Sequence, residues 1–289
     1  LGSIMPVFLL TALTMLAFAA NSVLTRAGLV GGAMDAASFG VIRLVSGAVA
    51  LAALCLVMRG HLRLGGPGRV TGVLALLVYM YGFTGAYNSL DSGLGALILF
   101  GMVQITMFAW AVRAKEGVST RRWIGAGMAM TGLAWLLWPI GEAQVSLLHG
   151  GLMAVAGIAW GVYSLSGRGS GDALQSTAAN FVWAAPVGAL ALILPATQGE
   201  LMVDTRGVTL AIVAGAVTSG MGYALWYTVL PRLMASSAAV AQLTVPVIAM
   251  AGGMVLLGEA LTLRFTLASV LVLGGVAIAV LPRVKRRQS

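Results

Sequence analysis

The sequence predicts an all-α membrane protein of ten transmembrane helices arranged as two inverted five-helix repeats. Three observations carry that expectation. The first is composition: of 289 residues, 60% are hydrophobic and 9% charged, where a soluble domain has about 25% charged residues and far fewer apolar ones. A soluble globule cannot hide so much apolar side chain, because its large surface needs charge to stay solvated. The second is segmentation: cutting the chain at its charges, prolines and glycine clusters leaves ten apolar runs of roughly 20 residues, the length that crosses a bilayer. The third is the alternation of positive charge between successive loops. The same composition excludes a disordered chain and a disulfide-stapled secreted fold.

The first five spans are expected at about 5–24, 36–58, 70–87, 93–113 and 122–139, so that residues 5–139 form one repeat. Residues 1–4 precede it, and Leu1-Gly2-Ser3 reads as a tag remnant. The first run continues past Thr25 without a small-residue cleavage site and reads as a true span. The second repeat, residues 147–282, holds spans at about 147–166, 174–195, 207–229, 235–257 and 264–282. Residues 283–289 form a basic tail. Loops take under a third of the chain, which leaves no room for a soluble domain.

An even number of spans puts both termini on one side. With that side inside, the inner loops hold Arg59, Arg63, Arg69, Arg113, Lys115, Arg121, Arg122, Arg168 and Arg232, and the tail adds Arg283, Lys285, Arg286 and Arg287. The outer loops hold only Arg26, Arg206 and Arg264. This bias of 13 to 3 predicts cytoplasmic termini under the positive-inside rule. It also accounts for the net charge of +9 without nucleic acid, which would need basic residues gathered on one soluble face. The single cysteine, Cys55, lies within an apolar run and can form no internal disulfide.

Sliding residues 88–132 onto 231–275, an offset of 143, matches Leu90, Ala96, Ile105, Met107, Val112, Glu116, Arg121 and Gly132 with identical partners. Glu116 with Glu259 and Gly132 with Gly275 are the informative pairs. Because five is odd, the second half must run upside down relative to the first. Many secondary transporters share that architecture, with the substrate near the midplane between the halves.

From Tyr223 to Gly275 the chain carries a tyrosine, then Ala235-Ser236-Ser237-Ala238-Ala239, Pro246-Val247, Leu257-Gly258-Glu259 and Gly274-Gly275. The first half echoes it with Ser92-Gly93-Leu94-Gly95-Ala96, Lys115-Glu116 and Gly125 to Gly132. This pattern resembles the drug/metabolite transporter superfamily, in its ten-helix EamA-type members. Taken whole, the chain is similar to the YddG-type aromatic amino-acid exporters of bacterial inner membranes. The resemblance implies export of small metabolites through a central cavity by alternating access. One departure is visible: Val103 aligns with Pro246, so the two halves do not carry matched prolines.

Residues able to carry transport are few. No Asp or Glu falls within an expected span, and His61 and His149 lie at span edges. Arg43 alone is embedded, about seven residues into the second span. It reads either as the receiver of a substrate carboxylate or as a structural partner of Asp35 or Asp91. The first helix bears a polar stripe, Thr11, Thr14, Phe18, Asn21, Ser22 and Thr25, at three- and four-residue steps on one face. Aromatic residues recur similarly: Tyr79, Phe83 and Tyr87; Tyr223, Trp226 and Tyr227; and Trp160 with Tyr163. Tyr87, Tyr227 and Trp138 also read as interfacial anchors. The candidate substrate-binding set is therefore Asn21, Arg43, Tyr79, Phe83, Trp160, Tyr163, Trp183, Tyr223, Trp226 and Gln242. Gly157-xxx-Gly161 and Gly215-xxx-Ser219 have the spacing of close-packing motifs.

Function classes narrow accordingly. An intramembrane enzyme would need paired aspartates, a metal-binding helix or a Ser–His pair, and a selective channel would need charged rings or filter carbonyls. Neither is legible, and neither cofactor nor metal is expected. Without a buried carboxylate relay, transport is expected to run as facilitation or exchange, and one embedded Arg is too few for phosphorylated substrates. The expected activity is export of small metabolites, in particular aromatic or other neutral amino acids, by a monomer in the bacterial inner membrane. The alternative is a drug or cation efflux carrier, or a non-selective metabolite channel, of the same architecture.

Overall fold

The computed structural model describes residues 4–32, 34–115, 119–138, 146–167, 171–229, 232–233 and 241–280. Among these residues all regular structure is helical. The first half holds α1 (Ile4–Leu29), α2 (Ala36–Arg59), α3 (Arg69–Ala86), α4 (Ser92–Arg113) and α5 (Thr120–Leu137). The second holds α6 (Leu147–Gly167), α7 (Ala173–Ala189), α8 (Ile193–Gln198), α9 (Thr205–Val213), α10 (Gly222–Val229), α11 (Thr244–Leu257) and α12 (Leu263–Val280). Seven segments are long and apolar enough to cross a membrane: Val7–Leu29, Ala36–Arg59, Arg69–Ala86, Ser92–Arg113, Leu147–Gly167, Ala173–Gln198 and Thr205–Trp226. Two shorter apolar helices, Thr244–Leu257 and Leu263–Ala279, accompany them. The remaining long helix, α5, opens with Arg121 and Arg122 and is less apolar. The repeated Glu116, the Ala235–Ala239 stretch and the basic tail lie outside the described residues.

Acidic residues set several helix starts. Asp35 accepts the Ser38 N–H at 2.8 Å at the head of α2. Asp172 accepts those of Leu174 and Gln175 at 3.1 and 3.2 Å at the head of α7. Asp204 accepts the Gly207 N–H at 2.9 Å at the head of α9. Each carboxylate satisfies an orphan donor and faces the positive end of the helix dipole.

Two expected spans are interrupted. Pro186 has no N–H to continue the ladder inside α7. The chain then tightens to a 3-10 turn at Leu190–Leu192 before resuming as α8, which carries the apolar segment to Gln198. The run expected as one helix at 207–229 is α9 and α10 joined by a π-helical segment, Ala214–Met221. Pro246, by contrast, is the third residue of α11, where a backbone N–H has no intrahelical acceptor and its loss costs little.

Packing pairs the elements across the two halves. α2 lies on α7, α4 on α11 and α5 on α12. α3 packs on α6, and α9, the π segment and α10 pack on α1. α4 packs on α6, and α11 on α1; α3 packs on α7, and α9 with the π segment on α2. The seat of α6 on α4 is the Gly157-xxx-Gly161 face. A side chain at Gly157 would strike the Leu99 carbonyl and Met102, and one at Gly161 would strike Thr106. Small residues there let the backbones approach, which supplies van der Waals contact where no hydrophobic force acts between helices.

Candidate functional site

A polar chain of side chains crosses the centre of the bundle. Arg43 of α2 has no exposed surface. Its Nε donates to the Ser219 hydroxyl at 3.0 Å and its Nη2 to the Tyr79 hydroxyl at 3.1 Å. The Tyr79 oxygen also accepts from Asn21 Nδ2 at 3.3 Å and shares a 3.2 Å hydrogen bond with the Tyr223 hydroxyl. Asn21 in turn accepts from Thr218 at 3.1 Å. Thr218 and Ser219 both belong to the π segment, whose Gly215 lies so close to α2 that a side chain there would collide with the Arg43 carbonyl and the Ser46 hydroxyl. The guanidinium carbon stands 4.8 Å from the Phe83 ring centroid and 5.6 Å from that of Tyr79, contacts worth about 2 kcal/mol when desolvated.

Aromatic rings close around this chain. Phe18 of α1 is 5.9–6.5 Å from the rings of Phe100, Trp160, Tyr223 and Trp226. Trp160 lies 4.9 Å from Tyr79, 4.7 Å from Tyr223 and 5.4 Å from Tyr163, on which it stacks. Phe181 of α7 completes the side toward Tyr223 at 5.9 Å. All of these rings are buried. Among the described residues, Arg43 Nη1 and Trp160 Nε1 of this cluster have no hydrogen-bond partner.

Both ends of the cluster are tied. At the Arg26 end, Glu259 follows α11 and accepts the Ser92 N–H and hydroxyl at 2.9 Å, so it caps α4. Arg26, in the last turn of α1, lies 3.9 Å from Glu259 and 3.8 Å from Asp91, and donates to the carbonyls of Tyr87 and Asn88. Burial pushes the Glu259 carboxyl above its ordinary range, with Asp91 adding to the rise; the Ser92 bonds and Arg26 pull against it. At the other end, the α2–α3 loop is strapped to α7. Arg59 pairs with Asp172 at 2.8 Å, Gln175 bonds the His61 carbonyl and the Arg63 N–H, and Arg69 donates to the Ser176 carbonyl and to Asn180. Burial opposes ionisation of Asp172, but hydrogen bonds from Arg59, Gln175 and Leu174 hold it below the usual carboxylate range. A small pocket beside this strap is lined by Pro67, Tyr163, Ser166, Ser176 and Asn180, among others. Among the described residues no three His, Cys, Asp or Glu gather as metal ligands.

Residues 150–281 match the EamA-like transporter family. An uncharacterised protein of Pseudomonas aeruginosa is 45% identical over 278 residues, covering 96% of both chains. The chain belongs to the EamA-like transporter family. The threonine/homoserine exporter RhtA of Escherichia coli is 27% identical over 176 residues, covering 58% of this chain and 52% of RhtA. A solved crystal structure superposes with a TM-score of 0.65 over 95% of this chain and 96% of its own, at 17% identity, a likeness of fold alone.

Within this family fold, eight of the ten expected site residues meet in the one cluster: Asn21, Arg43, Tyr79, Phe83, Trp160, Tyr163, Tyr223 and Trp226. Two do not. Trp183 faces outward, 48% exposed, and donates to the Leu64 carbonyl at 3.2 Å. Gln242 is buried beside α4, where it accepts from Gln104 at 3.3 Å. The expected pairing of Arg43 with Asp35 or Asp91 is also corrected. Asp35 caps α2 and accepts the Met202 N–H, and Asp91 faces Arg26. Tyr87 is fully buried and bonds the Ser92 carbonyl, so it is no interfacial anchor. The sequence reading missed Thr218, Phe100, Phe181 and Glu259 and gave Ser219 only a packing role. Of these, Glu259 had a signal in its repeat partner Glu116, and Ser219 in its small-residue spacing.

Proposed function

We propose that the protein is a ten-span secondary transporter of two inverted repeats. It exports small metabolites, aromatic or other neutral amino acids foremost, by alternating access through the aromatic cluster. The observation that carries this reading is that α1, α2, α3 and α4 of one half and α6, α7, the π segment and α10 of the other all contribute to a single polar-aromatic centre. Such a centre between halves is where transporters of this architecture bind substrate. The helix pairing supports the repeat, because exchanging α1–α5 for α6, α7, α9–α10, α11 and α12 maps the cross-half packings described above onto one another. Straps at both ends fit a closed conformation from which either face opens.

The charge bias supports cytoplasmic termini, and the reading takes the protein as a monomer in the inner membrane. RhtA exports threonine and homoserine by its name, which supports amino acids as the substrate class. An unneutralised guanidinium in the centre argues against a cationic drug. The test is counterflow of labelled amino acids in proteoliposomes, with phenylalanine, threonine and leucine in the panel. Saturable counterflow of at least one is expected without an imposed proton or sodium gradient. Its absence for the whole panel, or strict dependence on either gradient, overturns the reading.

A further inference from the structure

Resting on that export reading, we infer that the centre recognises its substrate through a carboxylate held between Arg43 Nη1 and Trp160 Nε1, and that an amino group on the substrate is dispensable. Three sides of the guanidinium are already committed. Nε is held by Ser219, Nη2 by Tyr79, and the face lies over Phe83. The edge at Nη1 is the one left with a donor and no acceptor. Trp160, 4% exposed, carries the second unpartnered donor. Both side chains flank Tyr79, Arg43 through a 3.1 Å hydrogen bond and Trp160 through ring contact at 4.9 Å.

Charge balance selects the ligand. Among the described residues, Arg43 meets hydroxyl oxygens and ring faces, and the ion pairs are Arg26–Asp91, Arg26–Glu259 and Arg59–Asp172. A buried cation without an anion carries a desolvation cost that a monoanionic ligand removes, and a carboxylate suits the planar donors of Arg. Among the described residues no carboxylate lies at this centre to pair with an ammonium. Asn21 Oδ1 already accepts from Thr218, and the Tyr79 oxygen already takes two donors. The substrate class is therefore an organic monocarboxylate with an apolar or aromatic body, of which a neutral amino acid is one form.

The experiment is direct binding to the full chain in lipid nanodiscs, read by intrinsic tryptophan fluorescence. The ligands are 3-phenylpropionate, phenylalanine and phenylalaninamide. The acid without an amino group should bind within about threefold of phenylalanine, and the amide at least about tenfold more weakly. Trp160→Phe keeps a ring and removes the N–H. It should weaken 3-phenylpropionate about fivefold or more and leave the amide unchanged. Arg43→Gln should abolish the preference for acid over amide; if it fails to fold, Trp160→Phe carries the test alone. An amide that binds as tightly as the acid, an acid that does not bind, or unchanged acid affinity in Trp160→Phe overturns the inference. Acid binding without counterflow sinks the export reading and leaves the inference standing; counterflow with equal amide competition does the reverse.

Discussion

Arg43 is held by Ser219, Tyr79 and the Phe83 ring, and the nearest acids in sequence have other work. Hydrogen bonds to a charged group contribute about 1.5–3 kcal/mol each, and losing an acceptor leaves that donor buried. Ser219→Ala should therefore lower thermal stability in detergent by an amount in that range. Asp91→Asn should fail to rescue Arg43→Gln, the two effects adding as for independent sites; rescue would return Asp91 to the Arg43 environment. Glu259 lends itself to a pH test. Its carboxyl is raised by burial above the ordinary 4.5, so folding takes up a proton. The stability this group contributes is then fully present below 4.5 and falls as pH rises through the raised folded value. Glu259→Gln is neutral at every pH, so the melting temperature of the native chain relative to this variant should decline as pH rises from 4.5 toward neutrality. A flat or rising difference would show that the Ser92 bonds and Arg26 outweigh burial. Arg43 was legible as a candidate because a lone charge in an apolar run is conspicuous. Glu259, marked only by its repeat partner Glu116, was not placed at the site, because a glutamate just beyond a span reads as solvent-facing until the loop is seen to fold back onto Ser92.

The α1 polar stripe and the aromatic repeats at three- and four-residue steps were legible because helical period fixes which side chains share a face. That face is buried: Thr14, Phe18, Asn21, Ser22 and Thr25 all point into protein. Interruptions within an element were harder to see. Nothing in Ala214–Met221 except its small residues marks a π segment, whose cause is tertiary: Gly215 lies against α2, and Thr218 and Ser219 each bond a partner on another helix. π turns in general gather at functional sites, and this one supplies two of the residues of the central polar chain. Trp183 went astray for a related reason. On α7 it shares a helix with the buried Phe181 and Asn180, but it turns out toward the α2–α3 loop, and composition alone cannot tell the two faces apart. The α4–α6 seat gives the prediction at this scale. Gly161→Leu forces a side chain into Thr106, and overpacking of this kind costs typically 1–3 kcal/mol. Unfolding in detergent should show that loss, while Gly151→Leu on the open face of the same helix, where a side chain meets nothing, should cost less than about 1 kcal/mol. Equal losses would mean that the α4 contact does not set the cost, since helix propensity favours Leu over Gly at both positions.

For the whole molecule, symmetry and charge point the same way. Asp35 at the head of α2 holds the Met202 backbone, and Asp172 at the head of α7 holds Arg59. Each half thus binds, through the cap of its second helix, a loop or helix end belonging to the other. If the halves run in opposite directions, as proposed, these two straps lie on opposite faces of the membrane, the Asp172 strap among the basic loops and the Asp35 strap among the sparsely charged ones. Arg59 ends α2, Arg63 lies in the α2–α3 loop and Arg69 opens α3, all at the strap that Asp172 and Gln175 hold, so this face should be cytoplasmic by the positive-inside rule. A cysteine in place of Arg63, whose side chain is exposed, reports the side directly once the buried Cys55 has been replaced by alanine. In intact cells it should stay unlabelled by a membrane-impermeant maleimide and become labelled after permeabilisation. A cysteine in place of Leu201, beside the Asp35 strap and 45% exposed, should label without permeabilisation. Reversal of both results would invert the protein in the membrane, and labelling of both from outside would place the two straps on one face, which a chain of two oppositely oriented halves cannot do.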